Sequence, residues 1–183
     1  MEEEDVLTWS KDYFLKWSDF KAESNPAAFE DSFSYIKYHH TWTLDSEMFE
    51  GKIYFTINSI QLSVLFYRHL SWVRKQCDTP FLLNHEQGHF DLAQSFLPEI
   101  KESILNEFKN KRFPTRGQNE EQRKQFARED SGIMIAKELE KWTTKLQNKR
   151  KNYAEETELG TNLDKQKVYD KEFAELRKKN YSN

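Results

Sequence analysis

The stretch "LLNHEQGH", Leu82 to His89, decides how this chain is read. Two histidines stand four residues apart, and a glutamate follows the first. On a helix, residues four apart lie about 40° from each other around the axis, so His85 and His89 share a face. Two imidazoles on one face can bind a single Zn²⁺ through nitrogen. Glu86 is rotated by about 100° from His85. Its carboxylate then stands beside a bound ion rather than on it, where it can take a proton from water. This is the His-Glu-x-x-His arrangement of zinc peptidases. Five residues alone are a modest signal, because an ordinary helix with two half-buried histidines carries the same letters.

The surroundings place the motif on a helix. Leu82, Phe90, Ala93, Leu97, Ile100, Ile104 and Phe108 recur at spacings near 3.6, which predicts helix from about Thr79 to Phe108. Pro98 lies inside that run and removes a backbone donor, so a kink or break is expected there. Upstream, "SFSYIKYHHTW" alternates, with Phe33 and Tyr35 on one side and Ile36 and Tyr38 on the other. In "KIYFTINSIQL", Ile53, Phe55 and Ile57 alternate with Tyr54, Thr56 and Asn58. Two antiparallel strands joined by a turn near Glu47 to Gly51 are expected. "SVLFYRHLSWVRK" fits strand or helix equally. "FPTRGQN" (113–119) reads as a loop from its Pro and Gly. A second long helix is expected from Glu120 to about Tyr153, with Ile135, Leu139, Trp142, Leu146 and Tyr153 on its apolar side. Gly160 ends it. A third helix, from about Leu163 to Lys178, is expected to be pinned by Val168, Phe173 and Leu176.

Composition bounds the partners. The chain has 183 residues, enough for one domain, taken as 1–183 with strand-rich residues 1–75 and helical residues 79–183. Five Trp and fourteen Phe supply a core, which argues against global disorder. The net charge of −3 is spread without a basic face, so no nucleic-acid partner is expected. No apolar run approaches the roughly 20 residues of a membrane span. The acidic opening "MEEEDVLTWS" has no apolar signal core, so the chain reads as cytoplasmic unless it is a trimmed mature form. Cys77 is the single cysteine and cannot form an internal disulfide.

A zinc site needs a third protein ligand. His39 and His40 are adjacent and face opposite ways on a strand, and His69 lies on an uncertain segment. Asp91 falls about 200° round the helix from His89, a position suited to supporting the site rather than ligating. "YAEETELGTNLD" (153–164) ends the second long helix with Glu155, Glu156 and Glu158. A carboxylate from a following helix is a common third ligand, so Glu155, Glu156 and Glu158 are each candidates.

The chain resembles the family known as domain of unknown function 922, regarded as predicted zinc-dependent, zincin-like proteases. The matching segments are "LKWSDFKA" (15–22), "AAFEDSFSYIKY" (27–38), "SWVRK" (71–75), "LLNHEQGHFDLAQ" (82–94) and "YAEETELGTNLDKQKVYDK" (153–171). The central segment matches the family's His-Glu-Gln-x-His-Phe-Asp hallmark. The resemblance implies an α+β fold: a small N-terminal antiparallel sheet, a zincin-like active-site helix and two further helices. It implies zinc on His85 and His89, Glu86 as catalytic base, and a peptide or protein substrate. Members usually read Tyr-Asp-x-x-Thr-x-His-Gly in the last segment, and that His is the family's natural third ligand. Here Ala154 replaces the Asp and Leu159 replaces the His. A Glu usual near the motif helix is Gln94. An active zinc metallopeptidase and a catalytically impaired relative serving as a binding module are therefore both open at this level.

Overall fold

The computed structural model describes residues 5–179 and shows a mixed α+β chain, with antiparallel strands preceding the long helices. Residues 1–4, which belong to the opening read as carrying no leader, lie outside the described residues. The chain gathers into two compact units interleaved in sequence. One takes the described residues up to His39, Ser63–Phe96 and the described residues from Lys145 onward; the other takes His40–Leu62 and Leu97–Thr144. Both contain strand and helix, so the division does not follow the strand-rich and helical halves of the sequence.

The strands form where side chains alternate. β1 (Val6–Thr8), β2 (Ser32–Phe33), β3 (Ile36–Phe49), β4 (Lys52–Tyr67) and β5 (Trp72–Val73) precede the first helix. The first expected stretch divides into β2 and β3, which join different sheets, while β3 runs on to Phe49 and β4 to Tyr67; in β3 inward positions continue at every second residue through Tyr38, His40, Trp42 and Leu44. Glu50 (φ 49°) and Gly51 (φ 73°) make the hairpin turn. Two left-handed residues match the twist of a tight hairpin, and only glycine takes that conformation without strain. β4 has β3 as one neighbour and also pairs with β1, Val6 opposite Tyr67. The ambiguous stretch continues β4 to Tyr67, turns through Arg68–Leu70, and adds β5, which pairs with β2.

The helices keep the expected spans. α1 (Pro80–Ser95) and α2 (Leu97–Phe108) divide the first helical run at Phe96, two residues before Pro98. Thr79 caps α1, its side chain accepting from the Leu82 amide at 3.2 Å, with Pro80 in the first turn where its missing donor costs nothing. Two residues of the expected loop are instead strand: β6 (Phe113–Pro114) pairs with β4, and Phe113 stacks on Phe55. α3 (Glu120–Glu156) holds no proline and is rich in strong helix formers, which carries it over 37 residues. In the unit that holds α2, Ile57, Ile60, Ile100, Ile104, Phe108 and Ile135 are buried.

The unit that holds α1 positions the motif. α1 packs against α4 (Leu163–Lys178) and β2. Ten consecutive residues of α1, His85 to Gln94, are buried, so the motif lies on no exposed face. Phe90 packs on Phe66, and Phe66 on Phe20. The N-terminal segment is tied to the helix by the Leu15 amide, which donates to Gln87 Oε1 at 2.7 Å. α4 is anchored by Phe173 and Leu176, as expected, and by Gln166; Val168 is 55% exposed and pins nothing. Val168 lies two residues from Gln166, about 200° round the helix, which turns it to water. Among the described residues, no helix is long and apolar enough to cross a membrane.

Candidate metal centre

His85, Glu86 and His89 come together as a buried group, with candidate ligand atoms all within 4.8 Å of one another. They line a cavity of about 1230 Å³ whose walls come from residues 29–34, α1 and the end of α3. The two imidazoles meet edge to face, 4.7 Å between ring centres.

Each of the three is held by a different neighbour. The Thr157 hydroxyl donates to the Tyr153 carbonyl at 2.6 Å, so its oxygen is left to accept from His85 Nδ1–H at 3.2 Å. That contact keeps the proton on Nδ1 and leaves the Nε2 lone pair available. A metal-binding histidine is oriented in this way, through its second ring nitrogen. Tyr153 stacks flat on His85, 4.7 Å between ring centres at 7°. Burial pushes the His85 imidazole down to about 4 and holds His89 well below its usual value, so both rings are neutral near pH 7.

Glu86 is tethered at both oxygens. Ser32 Oγ donates to Oε1 at 2.6 Å and Ser34 Oγ donates to Oε2. Burial raises its affinity for a proton, against the opposing pull of the two hydroxyls and of Arg150. Ser32 and Ser34 share one side of their segment because they flank Phe33.

Arg150 enters the same cavity from α3. Its Nη2 donates to the Ser34 carbonyl at 2.8 Å, and its Nε donates to His89 Nδ1 at 3.3 Å. His89 therefore accepts at Nδ1, and its ring proton rests on Nε2. The guanidinium is buried with no carboxylate within ion-pair distance among the described residues.

Two glycines make the approach of these groups possible. A Cβ on Gly88 would stand 2.1 Å from the Tyr153 hydroxyl, which lies over α1 and shares its proton between the His85 carbonyl (3.1 Å) and Gln166 Oε1 (3.0 Å). Gly160 (φ 88°) approaches His85 so closely that a Cβ would stand 2.8 Å from the His85 Cβ. The chain reaches this point through a Schellman end to α3, in which the Leu159 amide bonds the Ala154 carbonyl and the Glu158 amide bonds that of Glu155. Glu158 (φ 50°) and Leu159 (φ 55°) both take the left-handed conformation there.

Of the other candidate ligands, Glu158 lines the cavity but is exposed, with its Oε1 3.4 Å from Asn162 Nδ2, and it is not a member of the buried group. Leu159 lines the cavity as well. His39 is exposed, His40 stacks on Trp42, and His69 pairs with Asp5 at 2.7 Å. Asp91 accepts from Trp9 Nε1 (2.7 Å), Gln87 Nε2 (3.0 Å) and Arg177, which makes it a tie between helix and chain ends. Ser32, Ser34, Arg150, Tyr153 and Thr157 were not singled out as site residues from the sequence. The signal for Arg150 was present: Leu146, Arg150, Tyr153 and Thr157 continue the buried stripe of α3 at steps of four, three and four. A charge on an apolar stripe marks a group that the interior must use.

No family model, no curated protein and no solved structure matches this chain.

Proposed function

We propose that this protein is a zinc-dependent peptide hydrolase whose site is His85, Glu86 and His89. The observation that carries the reading is the buried group itself, in which His85 is already turned by Thr157 to present Nε2. Two neutral imidazoles and a carboxylate suit zinc, with the histidines as ligands. Glu158, on the cavity wall, is the carboxylate proposed to complete the set. Zinc held there would supply Lewis acidity, polarising a carbonyl and bringing a water's pKa to about 7. Glu86 acts as the base: it takes the proton from the attacking water and returns it to the leaving amine nitrogen. Ser32 and Ser34 hold the carboxylate in place through that exchange. Arg150, a cation lining the cavity, steadies negative charge developing on the carbonyl oxygen.

A second reading rests on the same arginine. A guanidinium donating to His89 Nδ1, with Leu159 where the resembling family has histidine, describes a binding module whose resident cation is Arg150. Metal content of protein purified without added zinc separates the two. One zinc per chain supports the hydrolase, and none supports the binding module. For the hydrolase, Glu86→Gln is expected to keep the metal and lower peptide hydrolysis by about 10²–10⁴-fold. Full activity in Glu86→Gln would remove Glu86 from the mechanism.

A further inference from the structure

The cavity has a rim that this chemistry does not use. Phe29, Phe33, Phe81, Leu159 and Leu163 all line it, and they are 89%, 40%, 60%, 36% and 46% exposed. They come from five separate places: the segment leading into β2 (Phe29), β2 itself (Phe33), the first turn of α1 (Phe81), the loop after α3 (Leu159) and the start of α4 (Leu163). Single exposed apolar residues are ordinary on a protein surface, but a cluster around one cavity marks a binding surface. Leu159 sharpens the point. A β-carbon at φ 55° is disfavoured, and the cap of a helix normally assigns such a position to Gly or Asn. A leucine held there, and left partly exposed, contributes little to the core and faces the same opening as the other four.

We propose that this rim receives a bulky apolar side chain of the substrate, so that the substrate class is a peptide with Phe, Leu or a similar residue beside the bond attacked. The proposal rests on the hydrolase reading for the word substrate. The pocket itself stands on the rim alone. The continuity of the rim with His85, Glu86 and His89 argues for a peptide as its occupant, because both share one cavity.

The test uses Glu86→Gln protein, so that bound peptide is not consumed. Labelled, capped Ala-Ala-Xaa-Ala-Ala peptides with Phe, Leu or Gly at Xaa are titrated by fluorescence anisotropy. The Phe and Leu peptides are expected to bind at least about tenfold more tightly than the Gly peptide, the effect of removing one such side chain from water. Phe81→Ser and Leu163→Ser are each expected to reduce that preference to under about threefold. Both side chains are exposed, so their circular dichroism and melting temperature should match the parent. Equal affinity for Phe and Gly peptides overturns the proposal, as does a preference that survives both substitutions. A wild-type dimer that Phe81→Ser dissociates also overturns it, since the rim would then serve self-association. Zinc stoichiometry reports on the hydrolase reading separately: apolar preference without zinc keeps the pocket and discards the hydrolase, while zinc and hydrolysis without preference do the reverse.

Discussion

Arg150 sets the terms on which a metal can enter. Its Nε–H occupies the Nδ1 lone pair of His89, so metal binding through Nε2 requires the ring proton to move to Nδ1 and the arginine contact to open. The guanidinium also repels any divalent ion held at the buried histidines. Unit charges a few ångströms apart interact by a few kcal/mol even at an effective dielectric constant of about 20. Arg150→Met removes both effects and keeps a side chain of similar length on the buried stripe. Zinc affinity is therefore expected to rise by at least about tenfold, or about 1.4 kcal/mol, in isothermal titration of Arg150→Met against wild type. Unchanged affinity would mean that the guanidinium lies clear of the ion. At this scale the sequence was legible for His85, Glu86 and His89, because helical spacing alone places them together. It was silent on Thr157 and the two serines, since a small hydroxyl acquires a role only from what the fold brings against it.

Among the elements, α1 shows where periodicity stops informing. A helix with one buried face announces itself by stripes, whereas here burial runs all round the helix and takes in polar His85, Glu86, Gln87, His89, Asp91 and Gln94, so hydrophobicity does not mark it. The helix was found through the apolar residues that recur from Leu82 to Phe108. The full extent of its burial follows from partners far away in sequence: β2, α4 and the N-terminal segment. The break before Pro98 and the start of α4 after Gly160 were readable, because proline and glycine act locally. Gly88 was not readable as a contact residue. Its missing side chain is what lets Tyr153 reach over α1 to stack on His85. Gly88→Ala should force a buried tyrosine to shift, at a cost of about 1–3 kcal/mol, despite alanine's better helix propensity. Urea denaturation measures this directly, and a more stable Gly88→Ala protein would show that Tyr153 can move aside freely.

For the molecule as a whole, folding keeps the site's histidines uncharged. The unit that holds α1 is closed by Asp91, which gathers Trp9, Gln87 and Arg177, while Arg177 also donates to the carbonyls of Ser10, Lys11 and Tyr13. Trp9 and Arg177 are thus fastened to the helix that carries His85 and His89, and opening that unit exposes the rings to water. In the unfolded chain a histidine takes up its proton near pH 6.5. In the folded chain burial delays this for His85 to about pH 4. Between those values the unfolded state binds more protons, so stability must fall as pH falls. His85 contributes its full share above pH 6.5, loses about 2 kcal/mol of it by pH 5, and about 3 kcal/mol by pH 4. His89, held lower still, acts in the same direction. Glu86 and Asp91 act in the opposite direction, because burial raises the affinity of both carboxyls for a proton and so favours the folded state as acid is added. His85→Asn keeps both carboxyls, so its difference from wild type isolates the share of the imidazole. The measurement is the urea midpoint of chelator-treated protein from pH 7 to pH 5, a window in which most surface carboxylates stay ionised. The wild-type midpoint is expected to fall relative to that of His85→Asn. Parallel profiles for wild type and His85→Asn would mean that His85 already reaches water in the folded protein, and the buried, neutral histidine pair proposed to hold the metal would be lost.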